Sequence, residues 1–157
     1  MEQAVVFPVA EKVAAKRVEI NAETPEVLIC VYGTLRKGEG NHRLLEGKAE
    51  RLGTFKSDPN FTMWGRRAGY PVLSKGDSSI VFEVYKIKDA KVLENLHNLE
   101  SCTGIPGDED NWYDIMPMKV PTGPEGAWQD AWIYIQHDFK SDILHVIPSG
   151  NWKNKSA

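Results

Sequence analysis

Two places in the chain carry residue types whose spacing suits chemistry on a small polar molecule. The first is the loop of residues 32–35 (Tyr-Gly-Thr-Leu), which directly follows the apolar run 27–31. Gly33 allows backbone angles or close approaches that a Cβ atom would block, and such a turn can aim several backbone N–H groups at one anion. Thr34 adds a hydroxyl that donates or accepts. The alternative is an ordinary surface turn in which Arg36 is merely solvated.

The second place is Glu100, at the end of an amphipathic segment that follows Asp89, a good N-cap residue. The apolar positions of this segment recur at helical spacing: Val92, Leu93, Leu96 and Leu99. A carboxylate at a helix C-terminus lies at the negative end of the helix dipole, and partial burial would raise its pKa further. This is the direction that a general acid or base near neutral pH needs. The alternative is that Glu100 is a solvated carboxylate. Glu83, which lies in a predicted strand, is the other candidate for the general acid or base.

The elements around these places predict a small mixed domain. Residues 27–31 lack helical spacing, which indicates a strand buried on both faces. Asn41 is a plausible N-cap for a short helical turn, and residues 101–111 carry no secondary-structure signal. Further strands are predicted over residues 48–55, 61–64, 78–87, 113–120 and 127–136. One main helix among these strands favours an α+β fold with a partial β-barrel.

Length and composition place the chain among ordinary globular proteins. Its 157 residues suit a single domain over residues 27–157, preceded by an N-terminal extension over residues 1–26. There is no apolar run of membrane-spanning length and no signal-peptide pattern, so we expect a cytoplasmic protein that does not bind membranes. The two cysteines and four scattered histidines lack metal-ligand spacing, so we expect no metal. The sequence has no Walker phosphate loop and no dinucleotide glycine fingerprint, so we expect no cofactor.

The net charge of −3 argues against nucleic acid as the main partner. The nearest basic patch is short and contains Trp64, Arg66 and Arg67. A barrel that binds nucleic acid through these three residues is therefore the weakest of the interpretations that we keep open.

The order of several short motifs resembles the gamma-glutamylcyclotransferase superfamily, closest to its gamma-glutamylamine cyclotransferase (AIG2-like) branch. The motifs that carry the resemblance are Val31-Tyr32-Gly33-Thr34-Leu35-Arg36-Lys37-Gly38, Gly69-Tyr70-Pro71, Glu83-Val84-Tyr85 and Leu96-His97-Asn98-Leu99-Glu100, followed by Tyr113. Each motif alone is weak, but their order and combination are specific. The resemblance covers residues 27–135.

The resemblance implies a cofactor-independent reaction in which a gamma-glutamyl amine or amide cyclises to 5-oxoproline and releases the free amine. It also implies the roles of the site residues. Glu100 would be the general acid/base, and the substrate-binding residues would be Tyr32, Gly33, Thr34, Leu35 and Tyr113. The partner would be a small gamma-glutamyl molecule, bound by a monomer or a weak homodimer.

One departure from the family pattern leaves an alternative open. Ile115 stands where family members usually have arginine after the tyrosine at position 113. A non-catalytic module that binds a gamma-glutamyl or other acidic metabolite in the same cavity would also fit. The leaving amine cannot be assigned from the motifs, because loops carry specificity.

Overall fold

The chain forms one main helix and eight strands over the residues that the computed structural model describes, which are 16–66, 69–136 and 143–154. In chain order these elements are β1 (Val27–Val31), β2 (Glu50–Lys56), β3 (Phe61–Arg66), β4 (Pro71–Lys75), β5 (Val81–Ile87), α1 (Ala90–Leu99), β6 (Asp114–Val120), β7 (Gln129–Ile135) and β8 (Ile143–Val146). Residues 1–15 of the predicted extension and Arg67 of the short basic patch lie outside the described residues.

The strands form two sheets of unequal size. The larger has five strands in the order β2-β5-β1-β7-β6, and the smaller has three in the order β4-β3-β8. β1 lies at the centre of the larger sheet, antiparallel to β5 and parallel to β7. Neither sheet closes on itself. The predicted α+β class with mixed strands and one main helix is confirmed, and over the described residues the strands form two separate sheets, not a closed barrel.

β1 is buried on both faces, as its unbroken apolar run predicts. Leu28 and Cys30 point into an apolar cluster that includes side chains of the smaller sheet. Val27, Ile29 and Val31 point the other way, into a second cluster that contains the apolar face of α1. The fold is therefore layered as small sheet, large sheet and helix, and β1 runs through the middle layer.

The helix α1 begins at the predicted N-cap, where the Asp89 carboxylate accepts a hydrogen bond from the Lys91 backbone N–H at 2.8 Å. The buried face of α1 holds Val92, Leu93, Leu96 and His97. Leu99, which the spacing places on the same face, is instead 39% exposed. The apolar stripe therefore ends one turn before the helix does, and a polar ring takes the last buried position.

The segment of residues 16–26 packs against the loop of residues 101–111. The Val18 N–H donates to the carbonyl of Gly104 at 2.7 Å, and the Arg17 guanidinium donates to the carbonyl of Thr103. The loop contains no helix or strand, as predicted. Hydrogen bonds within the loop hold it together, and the Asn111 side-chain oxygen, for example, accepts from the Thr103 N–H at 2.6 Å. The domain boundary at residue 26 stays a prediction.

Candidate active site

The loop of residues 32–35 leaves the end of β1 and presses against β4. A Cβ atom on Gly33 would lie 2.6 Å from Cγ and 2.8 Å from Cδ of Pro71, which is closer than unbonded carbon atoms can come. Of the two reasons for a glycine that the sequence leaves open, the close approach is therefore the one that applies. Any larger residue at position 33 would push the loop away from Pro71.

Asn41 fixes the next residue of this loop. Its backbone N–H donates to the Thr34 carbonyl, and its side-chain amide donates to the Thr34 hydroxyl, each at 2.8 Å. The helical turn predicted after Asn41 exists as a 3₁₀ turn over His42–Leu44, but the Asn41 side chain makes no cap hydrogen bond to it. The asparagine therefore holds the loop rather than the turn.

A buried ion pair anchors the far end of the loop. Arg36 and Glu83 are only 5% and 1% exposed, and the Arg36 Nε donates to the Glu83 carboxylate at 2.9 Å. The Lys37 backbone N–H and the Tyr85 hydroxyl also donate to this carboxylate, each at 2.9 Å. Burial alone would raise the pKa of Glu83, but these three donors outweigh it and hold the pKa below its ordinary value. Glu83 is thus an ionised anchor, and the alternative of a solvated Arg36 is wrong.

Glu100 occupies the C-cap of α1, with φ −88° and ψ 2°. The chain then turns back through two hydrogen bonds, from the Ser101 N–H to the Asn98 carbonyl and from the Cys102 N–H to the His97 carbonyl. This is the pairing of a Schellman motif, which places Ser101 in the left-handed region at φ 50°. The helix end is therefore well defined at Glu100, not frayed.

The Glu100 side chain is half-buried beyond the end of α1. No residue in the described part of the chain forms a hydrogen bond or an ion pair with it. Burial raises the pKa of Glu100 from 4.5 to about 8. At pH 7 the group is therefore mostly protonated, and it can exchange its proton within the physiological range.

These residues line one cavity that holds about 390 Å³ of empty space, open solvent at its mouth included. All six predicted site residues lie on its wall: Tyr32, Gly33, Thr34, Leu35, Glu100 and Tyr113. The roles predicted for them are not tested by this placement. The wall also contains residues that the prediction of the site omits: Cys30, Val31, Tyr70, Pro71 and Tyr134.

The omitted residues differ in how well the sequence points to them. Tyr70 and Pro71 belong to a motif that carries the family resemblance, so that motif was an available signal. Tyr134 lies in β7, and nothing in its local pattern distinguishes it from a core tyrosine.

Three tyrosines of the wall have their hydroxyls tied to named partners. The Tyr32 hydroxyl donates to the Tyr134 carbonyl at 2.7 Å, and the Tyr113 hydroxyl donates to the Pro71 carbonyl at 3.1 Å. The Tyr134 hydroxyl lies 2.7 Å from Nδ1 of His97. Burial, with the Glu100 carboxylate as a lesser cause, holds the pKa values of Tyr32 and Tyr134 well above the ordinary range. Both phenols are therefore neutral at physiological pH.

Ile115 does not reach the cavity. Its side chain is fully buried in the cluster beneath α1. The position that differs from the family pattern is thus a core position in this chain. Its side chain takes no direct part in lining the candidate site.

Two further sets of residues bear on other kinds of site. Arg66 is buried, with its guanidinium 5.8 Å from the Tyr70 ring centre and 5.9 Å from that of Trp112, so it is not a surface cation. Across residues 16–66, 69–136 and 143–154, no three His, Cys, Asp or Glu side chains are grouped so that they could hold a metal ion. In the same residues no helix has the length and apolar character needed to cross a membrane.

Comparison with known proteins shows the family. Residues 29–154 match the family described as Gamma-glutamyl cyclotransferase, AIG2-like. The chain therefore belongs to this family of enzymes, whose name describes the formation of a ring from a gamma-glutamyl group.

Individual relatives agree with this assignment. A Vibrio cholerae protein provisionally named a gamma-glutamylcyclotransferase is 36% identical over 126 residues, which is 80% of this chain and 94% of that protein. The gamma-L-glutamyl-butirosin B gamma-glutamyl cyclotransferase of Niallia circulans is 32% identical over 129 residues, or 78% of this chain and 73% of that enzyme. The crystal structure of an uncharacterised Pyrococcus horikoshii protein, 25% identical, superposes with a TM-score of 0.62 over 81% of this chain and 90% of that one.

Proposed function

We propose that the protein converts a gamma-glutamyl amine or amide to 5-oxoproline and releases the free amine, with Glu100 as the general acid/base. The observation that carries this proposal is the isolated Glu100 carboxyl, whose pKa of about 8 suits proton exchange at neutral pH. It shares a cavity with the loop of residues 32–35, for which the sequence resemblance implies binding of the glutamyl group. The name of the Niallia circulans relative, which gives a gamma-glutamyl compound as its substrate, supports the same reaction class.

The loop supplies donors for the negative charge in this reaction. Within the described part of the chain, nothing accepts a hydrogen bond from the backbone N–H groups of Gly33, Thr34 and Leu35. Free N–H groups of a turn bind anions, and here they would hold the α-carboxylate of the substrate or the oxyanion that develops on its γ-carbonyl. The anchors Asn41 and Glu83 keep these groups in position before the substrate arrives.

The proposed reaction needs little besides orientation and one proton carrier. Glu100 in its ionised form takes a proton from the α-amine, whose nitrogen attacks the γ-carbonyl carbon and closes the five-membered ring. The tetrahedral intermediate collapses with cleavage of the bond to the leaving nitrogen, and Glu100 returns the proton to that nitrogen. Orientation of an attack within one molecule can lower the barrier by about 7–11 kcal/mol, and a positioned carboxyl adds roughly a hundred- to ten-thousand-fold in rate.

A coupled assay for 5-oxoproline tests the proposal. We would compare gamma-glutamyl-ε-lysine, gamma-glutamyl-alanine and glutathione, with Glu100→Gln and Glu46→Gln beside the wild type. Glu46 is an exposed carboxylate outside the cavity, so its replacement should leave turnover unchanged. Glutamine keeps the shape of Glu100 but cannot carry the proton, so a loss of at least about a hundredfold is expected.

The outcome contrary to the proposal is equally clear. If Glu100→Gln retains turnover and a normal fold, Glu100 is not the acid/base. Tight calorimetric binding of a gamma-glutamyl compound without any 5-oxoproline would favour the binding module instead.

A further inference from the structure

His97 is a buried titratable group that the proposed mechanism does not use. It is 1% exposed and lies three residues before Glu100, so the two side chains project from the same face of α1. Its imidazole makes a hydrogen bond at each nitrogen. Nε2 lies 2.8 Å from the carbonyl oxygen of Val18, and Nδ1 lies 2.7 Å from the hydroxyl of Tyr134. His97 thus joins the segment of residues 16–26 to the wall of the cavity.

The partners of the ring decide where its proton lies. The Val18 carbonyl can only accept, so Nε2 of His97 must carry the hydrogen. Burial is the largest influence and holds the pKa of His97 below 6.5; the hydrogen bond with the Val18 carbonyl opposes it, the Arg17 cation lowers the pKa further, and the Glu94 carboxylate raises it. The ring is therefore neutral at pH 7 and Nδ1 is bare, which means that the Tyr134 hydroxyl donates to Nδ1.

Several contacts hold the ring in this position. A Cβ atom on Gly104 would lie 2.9 Å from Nε2 of His97, so only a glycine fits against this edge of the imidazole. The Arg17 guanidinium donates to the Glu94 carboxylate at 2.7 and 2.8 Å, and this pair ties the segment carrying Val18 to the helix carrying His97. The Tyr134 ring meets the imidazole edge-on, with centres 5.9 Å apart.

We propose that His97 is a positioning residue. The Val18 carbonyl fixes its proton on Nε2, and the bare Nδ1 then takes the hydrogen of the Tyr134 hydroxyl, so the phenolic oxygen of this cavity-lining residue is left only as an acceptor. That oxygen would receive a hydrogen bond from the α-ammonium or α-amine of the substrate, beside Glu100. The inference rests on the proposed function for the identity of the ligand, and it gives residues 17–18 of the N-terminal segment a part in the site.

The reverse arrangement shows why the proton position matters. A His97 ring with hydrogen on Nδ1 would donate to the Tyr134 oxygen, and the hydroxyl would then point its own hydrogen elsewhere. A Tyr134 hydroxyl that points its hydrogen at the substrate ammonium would repel it, whereas a Tyr134 oxygen that accepts a hydrogen bond attracts it. The neutral tautomer with hydrogen on Nε2 therefore selects an amine at this part of the cavity.

Nitrogen-15 NMR of the imidazoles tests the proton arrangement without any substrate. The His97 resonances are identified by their absence from the spectrum of His97→Gln. We expect the neutral tautomer with hydrogen on Nε2 at pH 7. An imidazolium ring, or hydrogen on Nδ1, overturns the proposal.

Matched substitutions test the action through Tyr134. The side-chain amide of asparagine reaches about as far as Nδ1 of histidine, and that of glutamine about as far as Nε2. His97→Asn can therefore still accept from Tyr134, whereas His97→Gln keeps only the contact with Val18. We expect Tyr134→Phe and His97→Gln each to lower kcat/KM by about ten- to a hundredfold, since hydrogen bonds to charged groups are the stronger kind. His97→Asn should keep most of the activity.

The double variant separates positioning from general structural damage. If His97 acts through the Tyr134 hydroxyl, His97→Gln should cost nothing further once Tyr134→Phe is present. The proposal would be overturned if the losses in kcat/KM of the two single variants multiply in the double variant. It would also be overturned if His97→Asn loses as much kcat/KM as His97→Gln. If His97→Gln does not fold, Gly104→Ala replaces it. The Cβ atom that this substitution adds should displace the His97 ring from Val18 and lower kcat/KM as much as His97→Gln would. If NMR shows the ring displaced in Gly104→Ala and the variant keeps full activity, the inference is contradicted.

The failure of the proposed function would be visible separately. If the wild type releases no 5-oxoproline from any substrate, the reaction is wrong whatever the tautomer. Calorimetric binding of L-glutamine, the simplest gamma-glutamyl amide, then tests Tyr134 as an amine acceptor. Weaker binding by Tyr134→Phe than by wild type is expected. Equal affinities, or no binding to either protein, would overturn the inference.

Discussion

Replacing Glu100 by glutamine is expected to stabilise the fold while it removes the proposed activity. Burial raises the pKa of Glu100 to about 8, from an ordinary value of 4.5 that applies to the unfolded chain. Between these two values the folded protein holds a proton that the unfolded chain has released. Stability therefore falls as the pH rises through this range, because the unfolded state binds fewer protons than the folded state. A glutamine at position 100 does not titrate.

The size of the effect follows from the shift. At pH 7 the medium lies about 2.5 pH units above the unfolded value of 4.5, and at 1.36 kcal/mol per unit this costs the wild type about 3 kcal/mol. The cost levels off above pH 8 at about 5 kcal/mol. Both are upper figures, since Glu100 keeps partial contact with solvent, which screens its charge.

Urea unfolding followed by circular dichroism measures this directly. The free energy of unfolding of wild type and Glu100→Gln would be compared at about pH 5, pH 7 and pH 8.5, across the interval where the two states differ in bound protons. We expect the advantage of Glu100→Gln to grow from pH 5 to pH 8.5. The exposed Glu46→Gln should differ from wild type by a small amount that does not change with pH. A constant difference for Glu100→Gln would mean that Glu100 titrates as it does in water, which removes the argument for its proton exchange at neutral pH.

Three other substitutions test the structure around the site. Gly33→Ala should displace the loop from Pro71 and lower kcat/KM by about a hundredfold, as misplacement by 1 Å does, and unchanged kinetics would contradict the tight contact. Glu83→Gln leaves the Arg36 guanidinium buried without its carboxylate, so the free energy of unfolding measured in urea should fall by about 3–5 kcal/mol; an unchanged value would refute the anchor. Ile115→Arg should lower the free energy of unfolding by about 2 kcal/mol or more, since the substitution buries a polar group without a partner. A gain in activity without loss of stability would place position 115 in the site after all.

Local pattern was enough to predict the elements that carry the site. The unbroken apolar run predicts β1 as a strand buried on both faces, and the N-cap Asp89 with the helical spacing after it predicts α1. The end of that spacing makes Glu100 a candidate beside Glu83, and the family resemblance then implies its role. Each of these features depends on neighbours within a few residues, so the sequence contains the information directly.

The local residue pattern of the sequence could not predict contacts between distant segments of the chain. The pairing of Arg36 with Glu83, the packing of Gly33 on Pro71 and the position of Tyr134 all join residues from separate elements. Tertiary contacts also decide which face of a helix end is buried, and for that reason Leu99 is exposed while His97 is not. The closure of the sheets likewise depends on strand pairing, which the alternation of residues within one strand does not specify.

Glu83, which anchors the loop, and Glu100, on the cavity wall, are held in different protonation states. Glu83 receives hydrogen bonds from the Arg36 side chain, the Lys37 backbone and the Tyr85 hydroxyl, and the Arg51 side chain lies 3.7 Å away, so it stays ionised.

Glu100 receives none of these donors, so burial alone governs its pKa. Two carboxyls with pKa values pushed apart in this way are typical of sites in which one group is fixed and the other moves a proton. Arg36 pairs with Glu83, whereas no ion pair of the described residues includes Glu100, so the two carboxyls keep different pKa values.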